Sequence, residues 1–377
     1  MTQTQPEKAS YHLLRSLSLP DRFANLSDAD ISPRPANWTG KQSEDFDLVK
    51  GAHLRGKDLR YARAFNAFLV NADLTEAHLE GAILANADLR HANLTGACMN
   101  SMLTNAKLTE ATIQNAHLED ADLSQANLCG AHLQGSFLNR ADLSNADLSH
   151  ADLKGAHIGY AIFSKANLRG VSLSEMDLGS SPGDDDFDNA DLRNTYLNGV
   201  NLSKVHFINA DFRGDHFVNT ELNQADLSYA DLRGVDLREA KLNGEDNELT
   251  TDLSDAKLQG ANLSGNLRYI NFSNAYLYKT HLVKADLSGD DLDKAHLIGA
   301  DLRRANLNYT TLSRADLRGA HLGGVHLKGA DLTNTDLRGL DLSRALDLSR
   351  EQIHRAITNK QTILPAYLKH QSRSSHF

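Results

Sequence analysis

Leucine, or another large apolar residue, recurs at every fifth position along most of this chain of 377 residues. In the segment RADLSNADLSHADLKGAH, residues 140–157, the triplet Ala-Asp-Leu occurs three times with two polar residues between copies. An amphipathic helix repeats its apolar positions about every 3.6 residues, and a half-buried strand does so about every 2. A period of five fits neither, so the pattern predicts a different repeating element.

Two of the five positions in each copy are apolar, and three are polar. With the central apolar residue written as position i, position i−2 is alanine in most copies, as in the triplets ending at Leu74 and Leu89. Position i−1 is mainly Asp, Asn or His, and positions i+1 and i+2 are mainly Ser, Thr, Arg, Asn or Gly. We therefore predict that i and i−2 point inward and the other three outward, because burial removes apolar side chains from water.

The register is interrupted at four places by less than one full period. Measured against whole periods, three interruptions lose one residue, and the one between Leu242 and Leu253 gains one. We interpret all four as adjustments at the corners of one continuous array, not as domain boundaries. The other three lie between Met99 and Leu103, between Leu178 and Phe187, and between Leu263 and Phe272.

Dozens of in-register copies of the motif A(D/N)Lxx make this chain similar to the pentapeptide-repeat family over residues 24–345. The resemblance implies an all-β solenoid, a right-handed quadrilateral parallel β-helix with short helical caps, in which each pentapeptide forms one side of a four-sided coil. At the usual strand spacing of about 4.8 Å, the array would stack roughly 16 coils into a rod of roughly 75 Å. Phe207, Phe212 and Phe217 fall on three successive sides of one coil, where we expect aromatic rings to fill the interior.

The two ends of the array are expected to be covered, since open coil edges promote aggregation. We divide the chain into residues 1–23, an N-terminal tail with a capping helix; residues 24–345, the repeat array; and residues 346–377, a C-terminal capping helix and flexible tail. A degenerate copy at 36–40 places Trp38 at position i.

The C-terminal helix has a sequence signature in its first turn. Ser349 is the expected N-cap and Gln352 lies at N3, the arrangement of a capping box. Ile353, Ala356 and Ile357 then form an apolar stripe, which we expect to cover the last coil.

Composition and charge exclude several classes of protein. The formal net charge is −10 and the sequence pI is about 5.9, which argues against direct binding to nucleic acid or to an anionic membrane. The sequence lacks a run of about 18 apolar residues, so we expect no membrane span. Its start, MTQTQPEKAS, lacks the layout of a secretory signal, and two cysteines do not make a disulfide framework. A cytoplasmic, reducing location is therefore expected.

The many histidines and aspartates prompt a search for catalytic or metal chemistry. Outward side chains stack when they lie twenty residues apart, and within an unbroken register no two histidines at i−1 do so. Cys98 and Cys129 show no relation to a histidine base, and a rod with short corners offers no cleft for paired carboxylates. We expect no enzymatic activity, no cofactor and no metal site.

One organised outer surface does follow from the stacking rule. Three Asp-x-Arg triplets recur at intervals of twenty residues, so their aspartates would form one ladder and their arginines a second ladder beside it. A basic stripe interrupted by Gly324 lies on one face of the C-terminal part. Each of these two surfaces is interpreted either as a solvent-exposed network of charges or as a docking surface for a partner. The candidate interaction surface comprises Asp191, Arg193, Asp211, Arg213, Asp231, Arg233, Lys284, Arg304 and Arg344.

Three residues break the rule that position i−2 is small and uncharged: Lys57, Asp215 and Asp290. An unpaired charge pointing into an apolar interior is costly. We expect the local side of the coil to bulge outward at each of them, and the sequence offers no partner for any.

These features favour a non-catalytic protein-interaction scaffold, a rigid repeat array that binds a partner protein through its outer faces. The resemblance implies two alternatives, a DNA-mimicking binder of type II topoisomerase (DNA gyrase) that confers drug resistance, and a bacterial effector delivered into host cells. The mimic fits less well, because Arg and Lys interrupt the acidic faces and the chain lacks extended loops. We expect a monomer or an end-to-end homodimer, and the partner's identity stays open.

Overall fold

The computed structural model describes residues 26–35, 38–39, 46, 49–176, 185–243 and 251–369. The chain divides into two compact units, Met1–Asp191 and Leu192–Phe377, which we call unit 1 and unit 2 and describe separately. The predictions made for the N-terminal tail, its capping helix and the last residues of the C-terminal tail lie outside the described residues.

The repeating element in both units is a single bridge residue followed by a tight turn. In unit 1, Asp73 forms a parallel bridge with Asn93, and the Leu74 N–H donates to the Asn93 carbonyl at 2.7 Å. The Ala77 N–H donates to the Leu74 carbonyl at 3.0 Å, and the intervening Glu76 has a left-handed φ of 58°. The all-β expectation is met only in part, since the described residues form isolated parallel bridges and no extended strand. Two of the five residues on each side form a turn, so too few residues remain to form an extended strand.

The recurrent aspartate at i−1 stabilises the turn that follows it. The Asp122 carboxylate accepts hydrogen bonds from the Ser124 N–H at 3.0 Å and from the Ser124 hydroxyl at 2.6 Å. Short polar side chains commonly satisfy turn backbone in this way. The Asp residues of the repeat therefore serve the architecture of the corner.

The predicted inward positions are confirmed. Leu74 and Ala77 are 1% and 0% exposed, and the same alternation of buried and exposed positions recurs in both units. In unit 2, the rings of Phe207, Phe212 and Phe217 are buried in one coil. Their centroids lie 5.1 Å apart for the first pair and 5.6 Å for the second, as expected for edge-to-face and tilted aromatic packing.

Coil length changes at the interruptions of the register, and two of the four differ from expectation. Bridges that normally join residues 20 apart, such as His53 with Asp73, shorten to 19 after Met99 and again in unit 2 between Asp252 and Asn271, as predicted. By contrast, Ile162 bridges Asp186 and Asp226 bridges Asp252.

These two bridges span 24 and 26 residues, so the coils there contain four and six extra residues. The interpretation of the breaks at 178–187 and 242–253 as one-residue adjustments is therefore wrong. In a period of five, a loss of one and a gain of four give the same register, and sequence spacing does not separate them.

Upstream of the regular coils, residues 26–31 stack on the first sides of unit 1. Asp30 bridges Phe68, and Leu26 and Ile31 are each 4% exposed. Trp38, predicted at an inward position, lies instead on the outer face. Its ring packs edge-on against Phe68 and Phe46, with centroids 5.2 Å apart in both cases. Phe68 occupies an outward i−1 position, and Trp38 shields its ring from water.

Unit 2 contains the two helices of the described chain, α1 at Arg350–Arg355 and α2 at Ala366–Lys369. The predicted capping box is present at α1. The Ser349 hydroxyl accepts from the Gln352 N–H at 3.2 Å, and the Gln352 side-chain oxygen accepts from the Ser349 N–H at 2.7 Å. The Gln352 amide group also donates to the Leu327 and Ala330 carbonyls at 2.7 and 2.9 Å.

The predicted apolar cover over the last coil is present only in part, since Ile353 and Ala356 are half-buried and Ile357 is exposed. Helix α1 has no buried residue, and Ile357 is 43% exposed. Ile357 instead bridges Asp336, and Ile363 bridges Asp341, so the segment continues the outer ladder of bridge residues. Backbone pairing, more than side-chain burial, holds this segment on unit 2.

Replacing Ser349 by Ala is expected to lower the free energy of unfolding by about 1 kcal/mol, because the cap hydroxyl satisfies a helix N–H. Chemical denaturation followed by circular dichroism measures this change. Ser343→Ala, at an exposed turn residue, is the matched control. Equal losses in the two variants would contradict a capping role for Ser349.

Candidate interaction surfaces

The first predicted surface is present in unit 2 as a ladder of ion pairs. Arg213 donates to Asp211 at 2.9 and 2.6 Å, and Arg233 donates to Asp231 at 2.7 and 2.5 Å. Contacts also cross between coils. The Arg213 Nε lies 3.6 Å from an Asp231 oxygen, and the Arg193 Nε lies 3.5 Å from an Asp211 oxygen.

The ion pairs of the ladder favour the charged forms of Asp211 and Arg233. Burial acts most strongly on the Asp211 carboxyl and raises its pKa, but the hydrogen bonds and charges of Arg213 and Arg193 outweigh it and the pKa is lowered. The hydrogen bond to Asp231 raises the pKa of Arg233. Half-exposed pairs of this kind contribute about 0–1 kcal/mol each.

Asp191, the remaining member of the predicted ladder, is the last residue of unit 1. There its carboxylate lies 4.0 Å from the Arg169 Nε. A docking role for the ladder stays a prediction.

The same face of unit 2 continues beyond the predicted residues through successive bridges. Asp231 bridges Lys257, which bridges Tyr276, and Tyr276 bridges His296. The rings of Tyr276 and His296 are stacked with centroids 4.9 Å apart, and Tyr278 adds a third ring 5.8 Å from His296. Sequence reasoning missed this aromatic platform because the coil of 26 residues shifts the register between Asp231 and its stacking partner.

The second predicted surface, the basic stripe of unit 2, lines an open groove of about 570 Å³. This groove is contrary to the expectation that a rod with short corners offers no cleft. Position i+1 carries Arg303 and then Gly323, and position i+2 carries Arg304, Gly324 and Arg344 on successive coils. Because two adjacent glycines lack side chains, a gap opens between the arginines on either side. The residues around it are Val283, Lys284, Arg303, Arg304, Gly323, Gly324 and Arg344.

The cations of this basic groove differ in their partners. Arg303 donates to Asp301 at 2.8 and 2.6 Å, and the hydrogen bonds and charge of this carboxylate raise the pKa of Arg303. Among the residues that the structure describes, none places a carboxylate oxygen within ion-pair distance of Lys284, Arg304 or Arg344. These three exposed cations therefore border the groove without a direct ion pair to a described carboxylate, and Asp341 acts on Arg344 only at longer range.

The repeat pattern identifies the family. A sequence profile described as Pentapeptide repeats matches residues 49–81, 67–101, 100–125, 121–158, 146–181, 186–214, 216–244, 270–308 and 310–346. These segments cover well over half of the chain. This chain belongs to the pentapeptide-repeat family.

Several solved structures of pentapeptide-repeat proteins are similar to this chain. HetL from the cyanobacterium Nostoc, involved in heterocyst differentiation regulation, is 28% identical over 66% of this chain and 88% of its own, with a TM-score of 0.25. A protein from the Arabidopsis thaliana thylakoid lumen is 30% identical over 28% of this chain and 65% of its own, with a TM-score of 0.15.

QnrB1, a plasmid-mediated fluoroquinolone resistance protein, is 20% identical over 67% of this chain and 91% of its own, with a TM-score of 0.15. None of the curated protein sequences matches this chain. Because these TM-scores are low, the family assignment rests on the repeat match.

Of the three residues that break the i−2 rule, Asp215 and Asp290 point into the interior, contrary to expectation. Asp215 is 5% exposed and Asp290 is 1% exposed. One carboxyl oxygen of each accepts a hydrogen bond from a backbone N–H of the preceding coil. Thr195 donates to Asp215 at 2.8 Å, and Ile270 donates to Asp290 at 2.9 Å. The side of the coil does not bulge at either residue, whereas Lys57 is exposed as predicted.

Burial governs the protonation of both inward aspartates. Desolvation raises the pKa of Asp215 to about 9 and raises that of Asp290 well above its ordinary range, and the backbone hydrogen bonds offset this only in part. The second oxygen of each carboxyl is buried without a hydrogen-bond partner. A protonated, neutral carboxyl group avoids the free-energy penalty of burying a charge in the interior.

The expectation that Cys98 is unrelated to any histidine is also wrong. Cys98 forms parallel bridges with His78 on one side and with His117 on the other. The twenty-residue stacking rule was applied to pairs of histidines and not to a cysteine between two histidines. The sequence signal for this arrangement is a histidine twenty residues before Cys98 and another nineteen residues after it.

In the part of the chain that is described, no helix has the length and apolar character needed to cross a lipid bilayer.

Proposed function

We propose that this pentapeptide-repeat chain is a non-catalytic interaction scaffold that binds an acidic segment of a partner protein in the basic groove of unit 2. We also propose that each unit is a right-handed quadrilateral parallel β-helix. Four bridges spaced five residues apart support the four-sided coil, since each returns twenty residues later. In unit 2 these bridges are Asp286–Asn306, Asp291–Thr311, His296–Asp316 and Asp301–His321.

The basic groove is the observation that carries the proposal. Lys284, Arg304 and Arg344 border it, and no carboxylate of the described residues lies within ion-pair distance of them. Gly323 and Gly324 allow a backbone to approach closely. Guanidinium groups bind carboxylates in bidentate geometry, and the exposed backbone of the groove adds hydrogen-bonding groups. A Glu- or Asp-rich segment satisfies these cations.

The DNA-mimic alternative needs a continuous acidic face. In unit 2, arginines contact the aspartates that would form such a face, as Arg213 does at Asp211 and Asp231. A supercoiling assay with DNA gyrase tests this alternative. The effector alternative depends on residues 1–40, most of which lie outside the described residues. A reporter fusion of this segment tests export, and a cytoplasmic location stays our prediction.

The double variant Arg304→Gln/Arg344→Gln is expected to weaken binding of a short fluorescein-labelled polyglutamate peptide at least 10-fold, because charge-assisted hydrogen bonds are lost. Fluorescence anisotropy at low and high salt measures the affinity. Affinity capture from a cell extract, followed by mass spectrometry, then identifies the natural partner with the wild-type chain and the variant.

The matched control is Arg318→Gln/Arg338→Gln, which changes the net charge equally. Both of these arginines already donate to an aspartate, at Asp316 and Asp336. The control is expected to bind the peptide within twofold of wild type. Equal loss in both double variants would show that only net charge matters and would contradict the groove. No peptide binding by the wild type would also overturn the proposal.

A further inference from the structure

A second group of chemistry-bearing residues lies on the outer surface of unit 1, apart from the basic groove. A nitrogen of His78, a carboxylate oxygen of Glu80 and the sulfur of Cys98 all lie within 4.8 Å of one another. His78 and Cys98 occupy position i−1 in consecutive coils and form a parallel bridge. Glu80 lies two residues after His78, at the i+1 position of the same side, with an oxygen 3.6 Å from the His78 Nδ1.

One oxygen of this cluster lacks the partner that a buried polar atom requires. The Glu80 Oε2 is buried and makes no hydrogen bond, whereas Oε1 faces His78. An unsatisfied carboxylate oxygen costs free energy unless a donor or a cation meets it. This unsatisfied oxygen is a second indication that a ligand binds here, besides the grouping of the three side chains.

Thiolate, imidazole and carboxylate together are the ligand set of zinc-class divalent cations. We propose that His78, Glu80 and Cys98 bind one Zn²⁺ ion, with a fourth position taken by water. Three protein ligands with an exchangeable fourth are the coordination of an open zinc site, whereas a structural site has four protein ligands.

The distances permit coordination after small side-chain rotations. Tetrahedral zinc places nitrogen, oxygen and sulfur ligands about 3.3–3.6 Å from one another. The ligand atoms here lie within 4.8 Å, and the His78 side chain is 51% exposed and has room to turn. The backbone bridge between His78 and Cys98 fixes their spacing, so only the side chains need to move.

Neighbouring charges favour a cation at this place. The carboxylates of Glu80 and Glu119 act electrostatically on the Cys98 sulfur and place negative charge around it. A bound divalent cation offsets this repulsion, and the thiol releases its proton to solvent as the sulfur–metal bond forms. Arg60, the cation in the preceding coil that acts on Glu80, donates two hydrogen bonds to Asp58.

His117, in the following coil, is held by other contacts. Its ring is stacked on Phe137 with centroids 4.8 Å apart and an interplanar angle of 7°. Its Nδ1 lies 3.3 Å from Glu119. His117 is therefore engaged by Phe137 and Glu119, and it is not a member of the group whose ligand atoms lie within 4.8 Å of one another, so we assign the fourth position to water.

Titration of the purified full-length chain with Co²⁺, followed by competition with Zn²⁺, tests the site. Co²⁺ takes the place of Zn²⁺ in such sites, and a thiolate ligand gives an intense charge-transfer absorption band. We expect one equivalent of Co²⁺ to produce this band and Zn²⁺ to remove it. Cys129→Ser, which changes the other cysteine of the chain, is the matched control and is expected to keep the band.

Cys98→Ser is expected to abolish the band, and His78→Ala and Glu80→Gln are each expected to weaken Co²⁺ binding at least 10-fold. Circular dichroism verifies that each variant is folded. If Cys98→Ser does not fold, His78→Ala still tests the site, because the His78 side chain is exposed and its replacement is expected to leave the fold intact. A wild-type chain without the band, or a band that survives in folded Cys98→Ser, overturns the proposal. Unchanged affinity in His78→Ala and Glu80→Gln overturns it as well.

Discussion

Replacing Phe212 by Ala is expected to lower the free energy of unfolding by about 3–5 kcal/mol, the range for deleting a fully buried aromatic ring. Phe212 is 0% exposed and contacts the rings of Phe207 and Phe217 inside one coil of unit 2. The interior at this point consists mainly of these rings, and the surrounding coils are fixed by backbone hydrogen bonds. They are therefore poorly able to collapse into the cavity. Equilibrium denaturation measures the loss.

Tyr309→Ala is the control for loss of an aromatic ring, since Tyr309 is 62% exposed at a turn. It is expected to change stability by no more than about 0.5 kcal/mol. Repeat arrays gain stability from neighbouring coils, so the damage in Phe212→Ala should be local. Hydrogen exchange is expected to accelerate most at the Leu192 and Leu232 amides, in the adjoining coils. A loss below about 1 kcal/mol, or uniform acceleration, would contradict this packing.

The features that depend on a single pentapeptide were predicted correctly from the sequence. The burial of i and i−2, the outward i−1 residue and the ring-filled coil at Phe207 to Phe217 all follow from the period and from side-chain size. The capping box of Ser349 and Gln352 is equally local. Such features are readable because each is determined by residues within a few positions of one another.

The features that depend on stacking between coils were predicted less well. Spacing in a period of five fixes which residues point inward but not how many sides a coil has at an interruption, as the bridge from Asp226 to Asp252 shows. The aromatic platform was missed for this reason. The Cys98 cluster was missed because the stacking rule was applied to histidine pairs and not to the pair of His78 and Cys98. The basic groove was missed because it arises from absent side chains at Gly323 and Gly324.

The inward aspartates lead to the second large prediction: the wild-type chain should lose stability as the pH rises from 5 to 8. Asp215 has a folded-state pKa of about 9, against an ordinary value of 3.8. Between these values the folded state holds a proton that the unfolded state has released. The contribution of Asp215 to stability is therefore fully present below about pH 4. Above that, each such group lowers stability by up to about 1.4 kcal/mol per pH unit until the folded pKa is reached.

Asp290 acts in the same direction, because its pKa is raised by nearly complete burial and it is opposed only by the Ile270 and Tyr269 backbone and the charge of Arg268. In the double variant Asp215→Asn/Asp290→Asn, the loss of stability between pH 5 and 8 is expected to be several kcal/mol smaller than in the wild type. The side-chain amide oxygen preserves the acceptor for the Thr195 and Ile270 N–H groups. Denaturation at four pH values in this window gives the slope for each chain.

Asp331→Asn is the control, since Asp331 is exposed at an i−1 position and its carboxylate accepts from the Thr333 N–H and hydroxyl. It is expected to leave the slope of the wild type unchanged. The decisive quantity is the difference in slope between the wild type and the double variant, because contributions from groups that both chains share cancel in it. Equal slopes would mean that the inward carboxyls are ionised in the folded chain, with water or a cation inside the coil. A steeper slope in the variant would contradict the direction of both pKa shifts.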